Sequence, residues 1–163
     1  MYSRDTISWY AVRIYADKTS VLKYLHAKNI EVFIPIRDGK PMLGPITFLR
    51  CTEDAILKTK ADWYHQIGVY RDPERKYPQS IPDQEMENFK MVLSLRDQEF
   101  YPLDIANEEF LSGQRVRVLD GLLKGAEGVI KRIKGHRRLI VKVSGVAAVA
   151  TSYVPARLLE KID

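Results

Sequence analysis

The residues best suited to chemistry are few and scattered along this chain of 163 residues. Its three histidines, His26, His65 and His136, fall in separate segments, and none has a second ligand at the spacing of a metal site. The single cysteine, Cys51, follows an apolar run, so we expect a structural thiol rather than a reactive one. The sequence therefore predicts no metal, no cofactor and no catalytic residue, and we expect the chain not to be an enzyme.

A glycine-rich string, Gly121 to Gly125, superficially resembles a phosphate-binding loop. A phosphate loop needs a long helix directly after it, because the amide groups at the helix start bind the anion. The residues that follow do not have a helical pattern, so we interpret the string as a turn between strands.

Positive charge is the strongest chemical signal in the chain. Its formal net charge is +5, and residues 1–106 hold fifteen basic and fifteen acidic side chains, so the whole excess lies in residues 107–163. Five cations crowd into eight residues around Gly135: Lys131, Arg132, Lys134, Arg137 and Arg138. Such a density suits a phosphate backbone or an acidic protein surface, and a solvated basic surface is the alternative.

A smaller basic group lies near the end of the first predicted strand. It consists of Arg13, Lys18 and Lys23. Basic side chains neutralise phosphates and release counterions, whereas reading bases needs partners that a sequence does not reveal. Contact with nucleic acid and a solvated face therefore both stay open for this group.

The amino-terminal part alternates strand and helix patterns. Strand patterns cover 8–15, 30–36, 46–50 and 63–70, and helical patterns cover 17–29 and 52–62. A third helix opens from a capping box at 80–83 and runs to about residue 95. Thr52 is expected to cap the second helix, with two acids in its first turn. A sheet with helices against it is the natural way to bury these apolar faces.

The tail has a different pattern. Short strands are predicted at 114–119, 129–133 and 139–143, and such strands bury an apolar face by curling into a small barrel. An acidic stretch with Pro102 precedes them and is typical of a linker. The predicted fold is thus an α+β domain with an antiparallel sheet flanked by helices (1–97), an acidic linker (98–112) and an all-β SH3-like barrel (113–163).

Several segments resemble the NusG family of transcription factors. The run GQRVRVLDGLLKGAEGVIKRIKGHRRLIVKV resembles a KOW motif. Trp9-Tyr10 in the first strand, IEVFIPI after the first helix, LGPITFLR and SIPDQEM are similar to the NusG amino-terminal (NGN) domain. These motifs occur in the family's order over nearly the whole chain. Gly44-Pro45-Ile46 departs from the usual Pro-Gly-Tyr, and the ending TSYVPARLLEKI is more like the specialised UpxY-type antiterminators of polysaccharide operons.

The resemblance implies a non-catalytic transcription elongation or antitermination factor. RNA polymerase would bind an apolar surface of the first domain, with Tyr10, Leu43, Ile46 and Ile67 as contacts; Phe48 would lie close to them but is expected in the core. The group around Arg13 would contact nucleic acid, such as non-template DNA or nascent RNA. The KOW domain would recruit RNA, a ribosomal protein or a termination factor.

A free-standing RNA-binding module of ribosomal-protein type is the competing hypothesis. The strand and helix order is similar to that of an RRM, but LGPITFLRC lacks the alternating glycines and aromatics that stack bases on an RRM sheet. No apolar stretch approaches membrane-spanning length, and the first residues lack the apolar core of a signal peptide. We therefore expect a cytoplasmic protein without membrane contact.

Overall fold

The computed structural model describes residues 5–42, 44–96, 100–103 and 113–163. Contacts within the chain divide it into two units, Met1–Pro82 and Asp83–Asp163. We call them the amino-terminal and the carboxy-terminal unit and describe each by itself. In the described residues the fold is mixed α/β, with antiparallel sheets and three α-helices.

The amino-terminal unit is built on a four-stranded antiparallel sheet in the order β2-β5-β1-β6. A separate two-stranded hairpin, β3–β4, follows β2. The elements in chain order are β1 (Ile7–Ile14), α1 (Lys18–Ala27), β2 (Glu31–Phe33), β3 (Ile36–Arg37), β4 (Lys40–Pro41), β5 (Thr47–Thr52), α2 (Glu53–Asp62) and β6 (Ile67–Val69).

Side-chain caps begin both helices of this unit. The Asp17 carboxylate accepts a hydrogen bond from the backbone N–H of Thr19, and the Thr52 hydroxyl accepts one from Ala55. These oxygens satisfy amide groups that have no partner within the helix. The predicted cap at Thr52 is confirmed, and β5 passes into α2 without a loop.

Successive residues of β1 are buried on opposite faces of the amino-terminal sheet. Tyr10 and Val12 of β1 lie in one apolar cluster with Val21 and Leu25 of α1, whereas Trp9 is buried and points to the opposite face of the sheet. Cys51 belongs to the first cluster, and burial raises the pKa of its thiol to about 11. The prediction of a structural cysteine is confirmed, because such a thiol stays protonated near neutral pH.

The carboxy-terminal unit contains one helix and a six-stranded antiparallel sheet in the order β12-β8-β9-β10-β11-β7. Its elements are α3 (Asp83–Leu93), β7 (Phe100–Leu103), β8 (Gln114–Val118), β9 (Glu127–Ile133), β10 (His136–Val143), β11 (Ala147–Tyr153), a 3₁₀ turn (Ala156–Leu158) and β12 (Leu159–Lys161).

Helix α3 packs against strands of this sheet. The Glu85 carboxylate accepts hydrogen bonds from the backbone N–H and the hydroxyl of Ser144, in the turn after β10. The buried Asn88 side chain accepts a hydrogen bond from the backbone N–H of Glu127 at 3.0 Å. The sequence assigned this helix to a domain ending at residue 97, whereas its contacts group it with the carboxy-terminal strands.

Two features of the sheet differ from the predicted tail. The strand β7 lies inside the range expected to be an acidic linker, and it pairs with β11 from Ala148↔Leu103 to Thr151↔Phe100. Its Pro102 fits an edge strand, where a missing N–H breaks no ladder bond on the outer side. The order of the described strands has two ends, so they form an open sheet, and a closed SH3-like barrel is not shown. The remainder of the predicted linker, 98–99 and 104–112, lies outside the described residues.

Candidate functional site

The end of β1 places a cation beside an aromatic ring. Arg13 lies opposite Gly68 of β6, and its Nε donates a hydrogen bond of 2.9 Å to the hydroxyl of Tyr70. The guanidinium carbon is 5.5 Å from the centre of the same ring. The hydrogen bond to Tyr70 raises the pKa of Arg13. A guanidinium is charged at neutral pH in any case, so the cleft carries a permanent cation.

A second ring, that of Tyr15, lies against Gly68. Tyr15 is 67% exposed, and a Cβ atom added to Gly68 would lie 3.1 Å from its ring. Because Gly68 has no side chain, the ring of Tyr15 can lie directly over its backbone. Arg13, Tyr15, Gly68, Val69 and Tyr70 line a shallow cleft of about 260 Å³, the Arg13 cleft. Rings beside a fixed cation are the combination that binds single-stranded nucleic acid.

Sequence reasoning found Arg13 but missed the two tyrosines and the glycine. The signal was present in part, because Arg13 and Tyr15 alternate on one strand and so share a face. The opposing strand was also predicted, but its register against β1 was not, and register decides which residue faces Arg13.

The two predicted lysines lie apart from the cleft. Lys18 and Lys23 are exposed on α1 and do not line it. Five residues separate them, which is about 140° around the helix axis, so they do not share a face. Among the predicted amino-terminal cations, only Arg13 belongs to the cleft.

The basic cluster of the carboxy-terminal unit forms the hairpin between β9 and β10. The turn consists of Lys134 and Gly135, whose φ angles of 52° and 80° are both positive. A two-residue turn in which both φ angles are positive has the twist that a β-hairpin needs. Glycine adopts a positive φ angle without steric cost. We call residues 131–138 the basic hairpin; the predicted turn at Gly135 is confirmed.

Like charges face each other across this hairpin. Arg132 pairs with Arg137, and Lys131 pairs with Arg138 on the next rung. Like charges directly opposite each other destabilise a sheet, so two such rungs would be stabilised by an anionic partner.

The five cations of the basic hairpin are not equivalent. Arg138 donates to the carbonyl oxygens of Ile133 and Thr151, at 3.1 and 3.2 Å, and its guanidinium lies 5.3 Å from the ring centre of Tyr101. Arg132 donates to the carbonyl of Gly135 at 3.0 Å. Arg138 thus links three strands of the sheet. Lys134 and Arg137 make no such side-chain bond to any described residue, which leaves their charges for a partner.

The predicted polymerase contacts are buried. Tyr10 and Ile67 belong to the core cluster beside α1, with exposed fractions of 0% and 3%, and Ile46 is 7% exposed. Phe48 is fully buried, as expected, and stacks on Phe33 with ring centres 6.1 Å apart. Leu43 lies outside the described residues. In this conformation Tyr10, Ile46 and Ile67 do not form an exposed apolar surface, and their contact with polymerase stays a prediction.

The described residues contain neither a candidate metal centre nor a membrane-spanning helix. No group of three or more histidine, cysteine, aspartate or glutamate side chains in this part of the chain could hold a metal ion. None of the helices within the same residues is long and apolar enough to cross a membrane.

Comparison with known proteins gives little. No protein-family model matches the chain, and no curated protein matches it. Among solved structures the chain is similar to NusG of Thermotoga maritima, in a structure that concerns the interaction of its domains. The two are 18% identical, the match covers 99% of this chain and 100% of that one, and the TM-score is 0.48. A similarity this low supports no conclusion about function, which has to be inferred from the residues of this chain.

Proposed function

We propose that this chain is a transcription elongation or antitermination factor of the NusG type. In this proposal the amino-terminal unit binds RNA polymerase, and the Arg13 cleft contacts single-stranded nucleic acid close to it. The basic hairpin engages a second partner. The protein is not an enzyme, works in the cytoplasm and resembles the UpxY-type antiterminators most.

The Arg13 cleft is the observation that carries the proposal. A permanent cation hydrogen-bonded to Tyr70, with the exposed ring of Tyr15 nearby, offers a phosphate contact and stacking surfaces at one site. Displaced non-template DNA and nascent RNA are the single strands available at a transcribing polymerase. The elements that carry the sequence resemblance also occur in the order that it implies: β1, α1, β2, β5 and α3, followed by β8, β9 and β10.

The carboxy-terminal strands are proposed to act as a KOW-type module. Strands β8, β9 and β10 contain the KOW-like segment, and the hairpin between the last two carries its cations. Because Lys134 and Arg137 are not bonded to described residues, they are the proposed contacts for an acidic protein surface, with RNA as an auxiliary ligand. Such a module adds a second attachment point near the polymerase.

Binding to core RNA polymerase tests the proposal. The purified chain should co-elute with core polymerase and reduce pausing in a single-round transcription assay. Arg13→Glu should leave co-elution intact but weaken crosslinking to non-template DNA about tenfold, because it removes the cation beside both tyrosines. Lys40→Glu, an exposed charge on the separate hairpin, is the matched control. A chain that binds RNA oligomers but not core polymerase would favour the free-standing RNA-binding module instead.

A second pair of variants tests whether the basic hairpin recruits a partner. Arg137→Glu should weaken recruitment of the partner and leave polymerase binding unchanged, whereas Arg157→Glu, an exposed cation outside the hairpin, should change neither. An RNA ligand would show affinity that falls steeply with salt, since each neutralised phosphate releases counterions. A protein ligand would show salt dependence mainly in the association rate. Loss of polymerase binding in Arg137→Glu would mean that the two units have been assigned the wrong partners.

A further inference from the structure

A second cleft in the amino-terminal unit lies where the segment after β6 meets the start of α2. It has a volume of about 260 Å³, and its lining includes Glu53, Asp72, Arg75, Tyr77, Pro78 and Ser80. We call it the Glu53 cleft. It shares no lining residue with the Arg13 cleft.

Backbone hydrogen bonds give this cleft a fixed wall. The N–H of Asp72 donates to the carbonyl of Tyr77, and the N–H of Lys76 donates back to the carbonyl of Asp72, both at 2.8 Å. The Asp72 carboxylate accepts the N–H groups of Glu74 and Arg75 at 2.9 and 3.2 Å. These bonds, the one from Arg75 first, hold the pKa of Asp72 below its usual value. The loop therefore presents a charged carboxylate at a defined place.

Glu53 is the unusual group of the cleft. Its exposed fraction is 6%, and among the described residues no hydrogen bond or ion pair joins its side chain to another. It occupies the first turn of α2, where the helix dipole favours a negative charge. Its carboxylate oxygens are not among the fully buried atoms without a partner, so they reach solvent through the cleft that Glu53 lines. An opposite charge brought by a ligand would therefore add an interaction that the free protein lacks, at a site that is shielded from most of the solvent.

We propose that the Glu53 cleft binds the guanidinium group of an arginine side chain presented by a partner protein. Glu53 accepts its N–H groups inside the cleft, and Asp72 adds negative charge beside it. The ring of Tyr77, which is 62% exposed, and Pro78 contact the apolar stem. Guanidinium is planar and weakly hydrated, so it suits a half-buried site beside a ring better than ammonium does.

Other ligand classes fit the lining less well. An anion would be repelled by the two carboxylates, against which the lining sets the single exposed cation Arg75. A metal ion would need more ligands, and Glu53 belongs to no metal-binding group of the described residues. Arg75 lies in the same cleft without an ion pair to Glu53, so it competes with a ligand only by its charge.

A titration with capped amino acids tests the charge requirement. Nα-acetyl-arginine amide should give saturable shifts in the backbone amide signals of Glu53 and Ser80 in two-dimensional NMR spectra of the full chain. Nα-acetyl-citrulline amide has nearly the same shape without the charge and should bind at least tenfold more weakly. Equal binding of the two compounds would overturn the proposal, as would shifts that stay linear and unsaturated for both.

Variants test the assignment to Glu53. Glu53→Gln keeps the shape and removes the charge, so arginine binding should weaken at least tenfold. Glu74→Gln removes an exposed acid of the same loop that does not line the cleft and should bind as the unaltered chain does. Arg75→Ala should bind severalfold more tightly, because it removes the competing cation. Equal affinity in Glu53→Gln and Glu74→Gln would overturn the proposal.

A further variant keeps the test decisive if Glu53→Gln fails to fold, which the same spectra would reveal. Tyr77→Ala alters an exposed side chain and should weaken arginine binding severalfold, and unchanged binding would again contradict the site. These measurements use no polymerase or nucleic acid. Failure of the arginine site therefore leaves the proposed transcription function untouched, and the reverse also holds.

Discussion

The contact between Glu85 and Ser144 should determine how firmly α3 is held on the carboxy-terminal sheet. The carboxylate accepts the Ser144 N–H at 2.8 Å and its hydroxyl at 2.7 Å, and both residues are half-buried. Glu85→Ala removes both bonds and leaves the Ser144 N–H without its partner. The perturbation thus acts on one anchor between the helix and the turn after β10.

The expected loss of stability follows from the type of bond. A hydrogen bond to a charged group contributes about 1.5–3 kcal/mol, and water at this half-buried site replaces part of it. We therefore expect Glu85→Ala to lower the free energy of unfolding by about 2 kcal/mol. For a chain of this size that corresponds to a melting temperature lower by roughly 4–8 °C. Ser144→Ala keeps the backbone bond, so its cost should be about 1 kcal/mol.

Thermal unfolding followed by circular dichroism measures these differences, and amide hydrogen exchange at Ser144 locates them. Glu87→Ala is the matched control, because Glu87 lies on the same helix, is exposed, and pairs with Lys90 only at 3.9 Å. Its effect should stay within about 0.5 kcal/mol. If Glu85→Ala and Glu87→Ala have the same melting temperature, the Glu85 carboxylate does not anchor α3.

Two further predictions concern two half-buried glycines and the buried cysteine. A Cβ atom at Gly128 would clash with the backbone carbonyl of Ile140, so Gly128→Ala should cost about 1–3 kcal/mol, whereas Gly68→Ala meets only the movable ring of Tyr15 and should cost less; equal melting temperatures would contradict this. Burial raises the pKa of Cys51 to about 11 and so favours the neutral thiol, which means that at pH 8 the native chain should react with iodoacetamide roughly a hundredfold more slowly than the chain unfolded in urea. Comparable rates, followed by mass spectrometry, would show that the thiol is accessible.

Local chemistry in the sequence was enough to predict most elements. The strand β1, the helices α1 and α2 and the hairpin turn at Gly135 all occur close to their predicted places. Their signals are short in range, since a cap joins residues three positions apart and a helical stripe repeats every three or four residues. The identity of Thr52 as a cap and of Cys51 as a core residue could be predicted for the same reason.

Long-range pairing decided what the sequence left open. The strand β7 has an irregular pattern with Pro102, and it became a strand because the edge of β11 offered hydrogen-bond partners. Helix α3 follows the first sheet in the chain, yet Glu85 and Asn88 find their partners some forty to sixty residues later. A local sequence pattern cannot predict a hydrogen-bond partner that lies so far along the chain.

The roles of individual side chains also depended on tertiary structure. Arg137 and Arg138 are identical neighbours in the sequence, but strand alternation and pairing bind Arg138 to two carbonyl groups and leave Arg137 for a partner. The sequence placed Tyr10 and Ile67 on a polymerase-binding surface, whereas both are buried in the core cluster with residues of α1. Residue types and spacing by themselves determined that the excess positive charge lies in residues 107–163 and that five cations crowd around Gly135. Only the tertiary structure decided which charges and rings meet, because burial and register depend on segments far apart in the chain.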